Sequence, residues 1–243
     1  MTNEWFAEWF DSPYYHILYH HRDEQEAKAA LDSLLSALQL PAGARVLDLA
    51  CGKGRHSRYL AEQGFDVTGL DISDASISFA RQFEHAHLHF YRHDMRLPYR
   101  HNYFDAVMNM FTSFGYFDND RDHLRSLRNV ALGLKRGGVL LLDFFNSEYV
   151  RRRLVPSDTK VIDQIAFRMT RHADARYVHK TVDFEHEGQA YHFEESVRLF
   201  TEADFRQLLK AAGLELRQTF GDYQLAPFDV MESPRLILIA VKP

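Results

Sequence analysis

Four shortages bound what this chain can be. It has one cysteine, Cys51, so no disulfide can close within it, and a reducing compartment is the expectation. It has no excess of positive charge: 29 Lys and Arg stand against 34 Asp and Glu, a formal net charge of −5, which argues against nucleic acid as a partner. The one dense basic cluster, Arg151-Arg152-Arg153, reads as a solvated helix end or loop. It has no long apolar run, since Val139 to Phe145 is broken by Asp143 and falls far short of the ~20 residues a bilayer span needs; no membrane partner is expected. Nor does it open on a targeting signal, because Met1-Thr-Asn-Glu-Trp-Phe lacks a basic stretch leading into an apolar core, and a cytoplasmic location follows as the expectation. What remains is ordinary for a globular protein. The 243 residues are 46% hydrophobic and 26% charged, enough for one large domain that buries roughly 70–75% of its unfolded surface.

The stretch Val46-Leu-Asp-Leu-Ala-Cys-Gly-Lys-Gly54 is an apolar run closing on a carboxylate and a Gly-x-Gly turn. Arg45 to Leu49 reads as a buried parallel strand and Arg55 to Gln63 as the helix that follows. Glycine at 52 and 54 lets the backbone turn tightly and lets a ligand approach it. The helix start then offers unpaired N–H groups beside that ligand. Val67 to Asp71 is a second strand ending in an acid, and an acid there can take both hydroxyls of a ribose. A nucleoside-bearing cofactor is the reading. The dinucleotide fingerprint requires a third glycine where this chain has Ser57. Asp48 would also repel a pyrophosphate by about 1 kcal/mol or more. The same acid favours a cation, and S-adenosylmethionine carries a sulfonium and an ammonium with no phosphate.

The segment VLDLACGKGRHSRYLAEQGFDVTGLDIS resembles the first two motifs of class I S-adenosylmethionine-dependent methyltransferases. The resemblance continues through FDAVMNMFTSFGYF, LRNVALGLKRGG and SPRLILIAVKP, with Ala50 in place of the usual first glycine. It implies a cofactor-binding set of Asp48, Ala50, Cys51, Gly52 and Gly54 around the methionine part, Asp71 and Ile72 at the ribose, Asp94 and Met95 flanking the adenine, with Asn109 and Met110. It also implies an α/β fold of the Rossmann-like, doubly wound kind. The sheet would have seven strands, mostly parallel, with an antiparallel hairpin at the C-terminus. Cys51 serves the turn as a small side chain, with no neighbouring base to make it a nucleophile.

The rest of the chain alternates strand and helix as that fold requires. Glu24 to Leu38 is amphipathic; Ser73 caps a helix running to Phe83; Leu88 to Arg92, Phe104 to Phe111 and Gly138 to Phe144 read as further strands. Leu124, Leu127, Val130, Ala131 and Leu134 mark another helix, stopped by Lys135-Arg-Gly-Gly138. Residues 161–199 break the rhythm with three β-rich stretches, Val161–Thr170, Arg176–Glu185 and Ala190–Leu199, a small antiparallel insert within a single domain of residues 1–243. Thr201 to Asp204 is a capping box, and Glu215–Tyr223 with Arg235–Val241 form the terminal hairpin.

Methyl transfer from a sulfonium expels a neutral thioether, so alignment of the acceptor alone can supply up to roughly 7–11 kcal/mol, and no catalytic residue need be recognisable. The loop after the fourth strand lacks an Asn-Pro-Pro-Tyr motif, which points to a small-molecule acceptor. Phe111, Phe114, Tyr116 and Phe117 offer an aromatic wall for a cation or a flat acceptor, with core packing expected for at least two of them. The aromatic segment 1–22, carrying Tyr14 and Tyr19, is expected to fold over the site as a lid, with Arg22 a two-pronged donor to the cofactor's carboxylate. The insert is expected to act as a substrate cap, with Arg168, Arg171, Arg198 or His192 holding an acidic acceptor group. The spacings of His16 with His20 and of His85, His87 and His89 suit a metal, but no cysteine or carboxylate set completes a site, so none is expected. Two other readings share these motifs: a non-catalytic S-adenosylmethionine-binding regulator and an NAD-dependent oxidoreductase. The chain is expected to act as a monomer or homodimer.

Overall fold

The computed structural model describes residues 4–19 and 24–243. Its core is a seven-stranded sheet of β1 (Arg45–Leu49), β2 (Asp66–Asp71), β3 (Leu88–Arg92), β4 (Phe104–Asn109), β5 (Leu134–Phe145), β10 (Glu215–Phe220) and β11 (Arg235–Val241). The order across it is β10-β11-β5-β4-β1-β2-β3. The pairs β1–β2, β1–β4, β2–β3 and β4–β5 are parallel, and β11 runs antiparallel between β5 and β10. The period of two in a strand buried on both sides explains the layering. Leu140, Leu142 and Phe144 of β5, with Leu236, Leu238 and Ala240 of β11, face one core; Leu141, Ile237 and Ile239 face the other.

Helices cover both faces. α3 (Glu24–Leu38), α4 (Arg55–Glu62) and α5 (Asp74–Ala80) bring Leu31, Leu34, Leu60 and Ile77 to one side; α6 (Asp120–Gly133) and α8 (Glu202–Ala211) bring Leu127, Val130, Phe205 and Leu209 to the other. Thr201 and Asp204 cap α8 reciprocally, as their spacing predicts. The helix after β4 ends at Gly133, and the residues read as its stop already belong to the irregular start of β5. Strand order reverses on either side of β1, so a crevice opens beyond the carboxyl ends of β1 and β4. Among the described residues no helix is long and apolar enough to cross a membrane.

The insert follows α7 (Ser147–Arg153) and has four strands where the sequence suggests three: β6 (Ser157–Ile162), β7 (Ile165–Ala173), β8 (Tyr177–His186) and β9 (Gln189–Arg198). The first expected stretch is a hairpin folded at Asp163 and Gln164, both at positive φ (50° and 66°). A two-residue turn of that kind usually advertises itself with Asn or Gly, and here it does not. One face of the insert packs on two short helices, α1 (Trp5–Asp11) and α2 (Pro13–Leu18), around Trp9, Leu18, Phe167, Met169 and Phe184.

Candidate functional site

A cavity of about 490 Å³ lies at the crevice, roofed by α1 and α2. Its floor is the turn from β1 to α4. Ala50, Gly52 and Gly54 all have positive φ (63°, 55° and 80°), which costs the alanine roughly 1–2 kcal/mol. The glycines do different work. A Cβ on Gly54 would stand 2.5 Å from the Phe90 ring, so this glycine serves packing, and it does not border the cavity; a Cβ on Gly52 would meet nothing within 4 Å, leaving room for a ligand against the backbone.

Asp71 borders the cavity half-buried. Its Oδ2 accepts the Gly52 N–H at 2.8 Å and its Oδ1 the Ser73 N–H at 2.9 Å. Burial pushes its carboxyl up, and those backbone donors oppose the rise without cancelling it. Asp94 also borders the cavity; burial works against its ionisation, but the Arg96 guanidinium and backbone N–H outweigh that and hold it below the usual carboxylate range. Two fixed carboxylates, each with acceptor capacity left over, suit the hydroxyls and amino group of an adenosine. The residues present therefore fit S-adenosylmethionine.

Asp48 is placed differently from expectation. It is buried away from the cavity, its Oδ2 accepting from Ser57 Oγ at 2.6 Å, and burial pushes its carboxyl up to about 6. The serine in the third-glycine position thus holds a buried acid. The cavity wall carries cations as well as acids, namely Lys53, Arg55 and Arg58. Arg55 lies 4.6 Å over the Phe111 ring, and His56 stacks on that ring at 5.1 Å. Burial pushes His56 down to about 3 and His16 down to about 4, so both face the cavity neutral at pH 7.

Of the expected cofactor residues, Ala50, Cys51, Gly52, Asp71, Ile72, Asp94, Met95 and Met110 border the cavity. Asn109 does not: its amide donates to the Leu49 carbonyl at 2.9 Å and braces the ends of β1 and β4 together. Arg22 lies outside the described residues. On the acceptor side, Phe111, Tyr116, Phe117 and Tyr19 border the cavity, whereas Phe114 is core, packed on Phe200 and Phe205. Tyr14 turns away to pack on Phe184 and Tyr191 of the insert. Arg168 is exposed on the outer face of β7 between inward Phe167 and Met169. Arg171 pairs with Asp158, Arg198 with Asp120 and His192 with Asp183. None of the insert residues borders the cavity; the insert packs instead on α1 and α2, whose residues do. Phe6, Phe10, Tyr15 and His16, all within the segment expected to cover the site, also border the cavity. Phe6 and Phe10 are four apart on α1 and share a face, and Tyr19, the residue that closes α2, stands four beyond Tyr15.

The loop after β4 is strained, with Phe111 and Thr112 both at positive φ (56° and 62°). A buried carboxylate holds it. Asp143 accepts the Phe111 N–H and the Tyr223 O–H, each at 2.8 Å, and pairs with Arg235 at 2.7 Å. Arg235 also donates to Thr112 Oγ1 at 3.1 Å.

Comparison with known proteins places this geometry in context. Residues 46–138 match the family model of a methyltransferase domain. The methyltransferase-family protein YqeM of Bacillus subtilis is 33% identical over 196 residues, covering 76% of this chain and 78% of its own. A dTDP-3-amino-3,4,6-trideoxy-alpha-D-glucopyranose N,N-dimethyltransferase of Streptomyces venezuelae is 28% identical over 218 residues, covering 85% and 91%. The crystal structure of an S-adenosylmethionine-dependent methyltransferase of Clostridium acetobutylicum superposes with a TM-score of 0.77 at 18% identity, over 97% of each chain.

Proposed function

The chain belongs to the class I S-adenosylmethionine-dependent methyltransferases, and on that premise we propose that it methylates the nitrogen of a small amine. The observation that carries the acceptor class is the set of aromatic rings, Phe10, Tyr15, Tyr19 and Tyr116, that borders the same cavity as the two carboxylates. Such rings attract a protonated amine through their faces, and the amine gives up that proton to solvent before its lone pair attacks the methyl group. The Streptomyces venezuelae relative, named as an N,N-dimethyltransferase of an amino sugar, supports the same class. Neutral His16 and His56 add nothing to the positive charge that Lys53, Arg55 and Arg58 already place on the cavity wall.

The bound cofactor supplies an electrophilic methyl group whose departure leaves a neutral thioether. The chain's residues bind and align. Asp71 takes the ribose hydroxyls, Asp94 the purine amino group, and Ile72 and Met95 flank the base. The backbone at Ala50 and Gly52, with Met110, holds the methionine part. The lid faces of α1 and α2 exclude water and hold the acceptor in line, which is where most of the rate gain lies. The test is methyl-labelled S-adenosylmethionine offered with matched panels of small amines, alcohols and thiols. Label in amines supports the proposal; label confined to oxygen or sulfur acceptors refutes the acceptor class.

A further inference from the structure

The roof is fastened to both nucleoside-facing loops by carboxylates of its own. At the start of α1, the two Glu4 oxygens each accept from Arg96, through Nη1 and Nη2, at 2.6 Å. The same guanidinium donates to Asp94 from Nε at 3.0 Å and from Nη2 at 2.6 Å, and lies 5.0 Å from the Phe117 ring. At the end of α1, Asp11 Oδ1 accepts the Ser73 Oγ–H at 2.7 Å and the Ala75 N–H at 2.9 Å. Ser73 in turn gives its backbone N–H to Asp71. Each carboxylate of the nucleoside site is thus one residue removed from a carboxylate of the lid.

We propose that Glu4 and Asp11 are positioning residues of the nucleoside site, acting through Arg96 and Ser73 to set Asp94 and Asp71, so that lid closure and nucleoside binding are thermodynamically linked. This rests on the cofactor assignment above. One guanidinium shared between two carboxylates leaves a net negative charge beside Asp94, where a purine 6-amino group would donate. Without Glu4, Arg96 neutralises Asp94 alone, and Asp94 becomes the weaker acceptor. Linkage is reciprocal: whatever the closed lid adds to nucleoside affinity, bound nucleoside adds to lid closure. At the other end, Asp11 holds the start of α5, and with it the Ser73 N–H that aims Asp71.

The chain carries its own reporter, because its two tryptophans, Trp5 and Trp9, both lie on α1. Parent, Glu4→Gln and Asp11→Asn proteins would be titrated with S-adenosylhomocysteine and with its 6-oxo analogue, S-inosylhomocysteine, by tryptophan emission and calorimetry. In the parent, S-adenosylhomocysteine shifts emission saturably. Each variant binds it about three- to tenfold more weakly, with the ligand-free melting temperature close to the parent's. Glu4→Gln also narrows the preference for the 6-amino over the 6-oxo purine, whereas Asp11→Asn leaves that preference intact. A general loosening of the fold would not produce that split. Variants that bind both nucleosides as tightly as the parent overturn the proposal, as does an unchanged purine preference in Glu4→Gln. Should Asp11→Asn melt early, Glu4→Gln decides alone, since the purine preference is its own control. A parent that binds neither nucleoside overturns the cofactor assignment, and the proposal with it.

Discussion

Replacing Asp71 by alanine removes an acceptor that serves the protein and the ligand at once. Within the protein it takes the N–H groups of Gly52 and Ser73, at 2.8 and 2.9 Å. Leaving a donor unpaired costs ~1–3 kcal/mol when it is fully buried. Both donors sit at a cavity wall that water can enter, so the low end applies, about 2 kcal/mol for the pair. For a chain of 243 residues that lowers the melting temperature by roughly 4–8 °C, a folded but softened protein. The ligand loses more. Two charge-assisted bonds to the ribose, each worth ~1.5–3 kcal/mol, give a loss of about 100-fold or more in affinity. Asp71→Asn separates the two effects. Its amide oxygen can still accept from one of the two backbone donors, so about half of the lost stability returns, while the charge facing the ribose does not. Calorimetric titration with S-adenosylhomocysteine, beside a thermal melt of each variant, measures both quantities. The ribose assignment fails if Asp71→Ala binds within threefold of the parent, or if Asp71→Asn binds as the parent does.

Asp48 makes a pH-dependent prediction. Burial raises its folded value to about 6 from 3.8, so between those values the folded state binds the extra proton and stability falls as pH rises. The fall is complete above about pH 6 and amounts to roughly 3 kcal/mol. Asp48→Asn should therefore be more stable than the parent at pH 7 by up to that amount and nearly equal to it at pH 4. Urea titrations at the two pH values test this, and a constant difference between them would count against it. The two glycines of the turn should separate stability from binding. Gly54→Ala meets the Phe90 ring at 2.5 Å and should destabilise by roughly 2–4 kcal/mol. Gly52→Ala meets nothing within 4 Å and should lose about 1 kcal/mol of stability but most of its cofactor affinity. Equal melting temperatures for the two variants would refute the division of labour.

What the sequence displays is whatever depends on near neighbours. The turn at Gly52 and Gly54, the acid closing β2, the capping box of α8 and the unbroken apolar run of β11 are each set by residues within a few positions. The aromatic N-terminal segment reads as a lid because free rings are rare, yet choosing its inward residues needed the helical period. Tyr14 and Leu18 pack on the insert and do not border the cavity, whereas Tyr15 and Tyr19 touch the insert and border the cavity as well. Arg168 misled because a basic residue in an insert says nothing about which face of the strand it occupies; inward Phe167 and Met169 on either side settle it outward. Arg96 was invisible for a different reason. Its partner Glu4 is 92 residues away, and no local pattern joins them. Phe114 and Phe117 look alike in sequence, but the left-handed backbone at Phe111 and Thr112 redirects the loop, so that only Phe117 reaches the cavity.

The hold that Asp143 and Arg235 keep on the loop after β4 also bears on the order in which the molecule assembles. Every parallel strand that shapes the nucleoside cradle, together with the turn at Gly52 and both Asp71 and Asp94, lies in the first half of the chain, where a growing polypeptide can join them early. Phe111 and Thr112, by contrast, are kept in their unfavourable backbone by a guanidinium 123 residues further along. Closing so long a loop is slow, and it comes after the local contacts have formed. A nascent chain thus gains the means to hold a nucleoside before it gains the means to present an acceptor, and the reactive half of the pocket is the last to set.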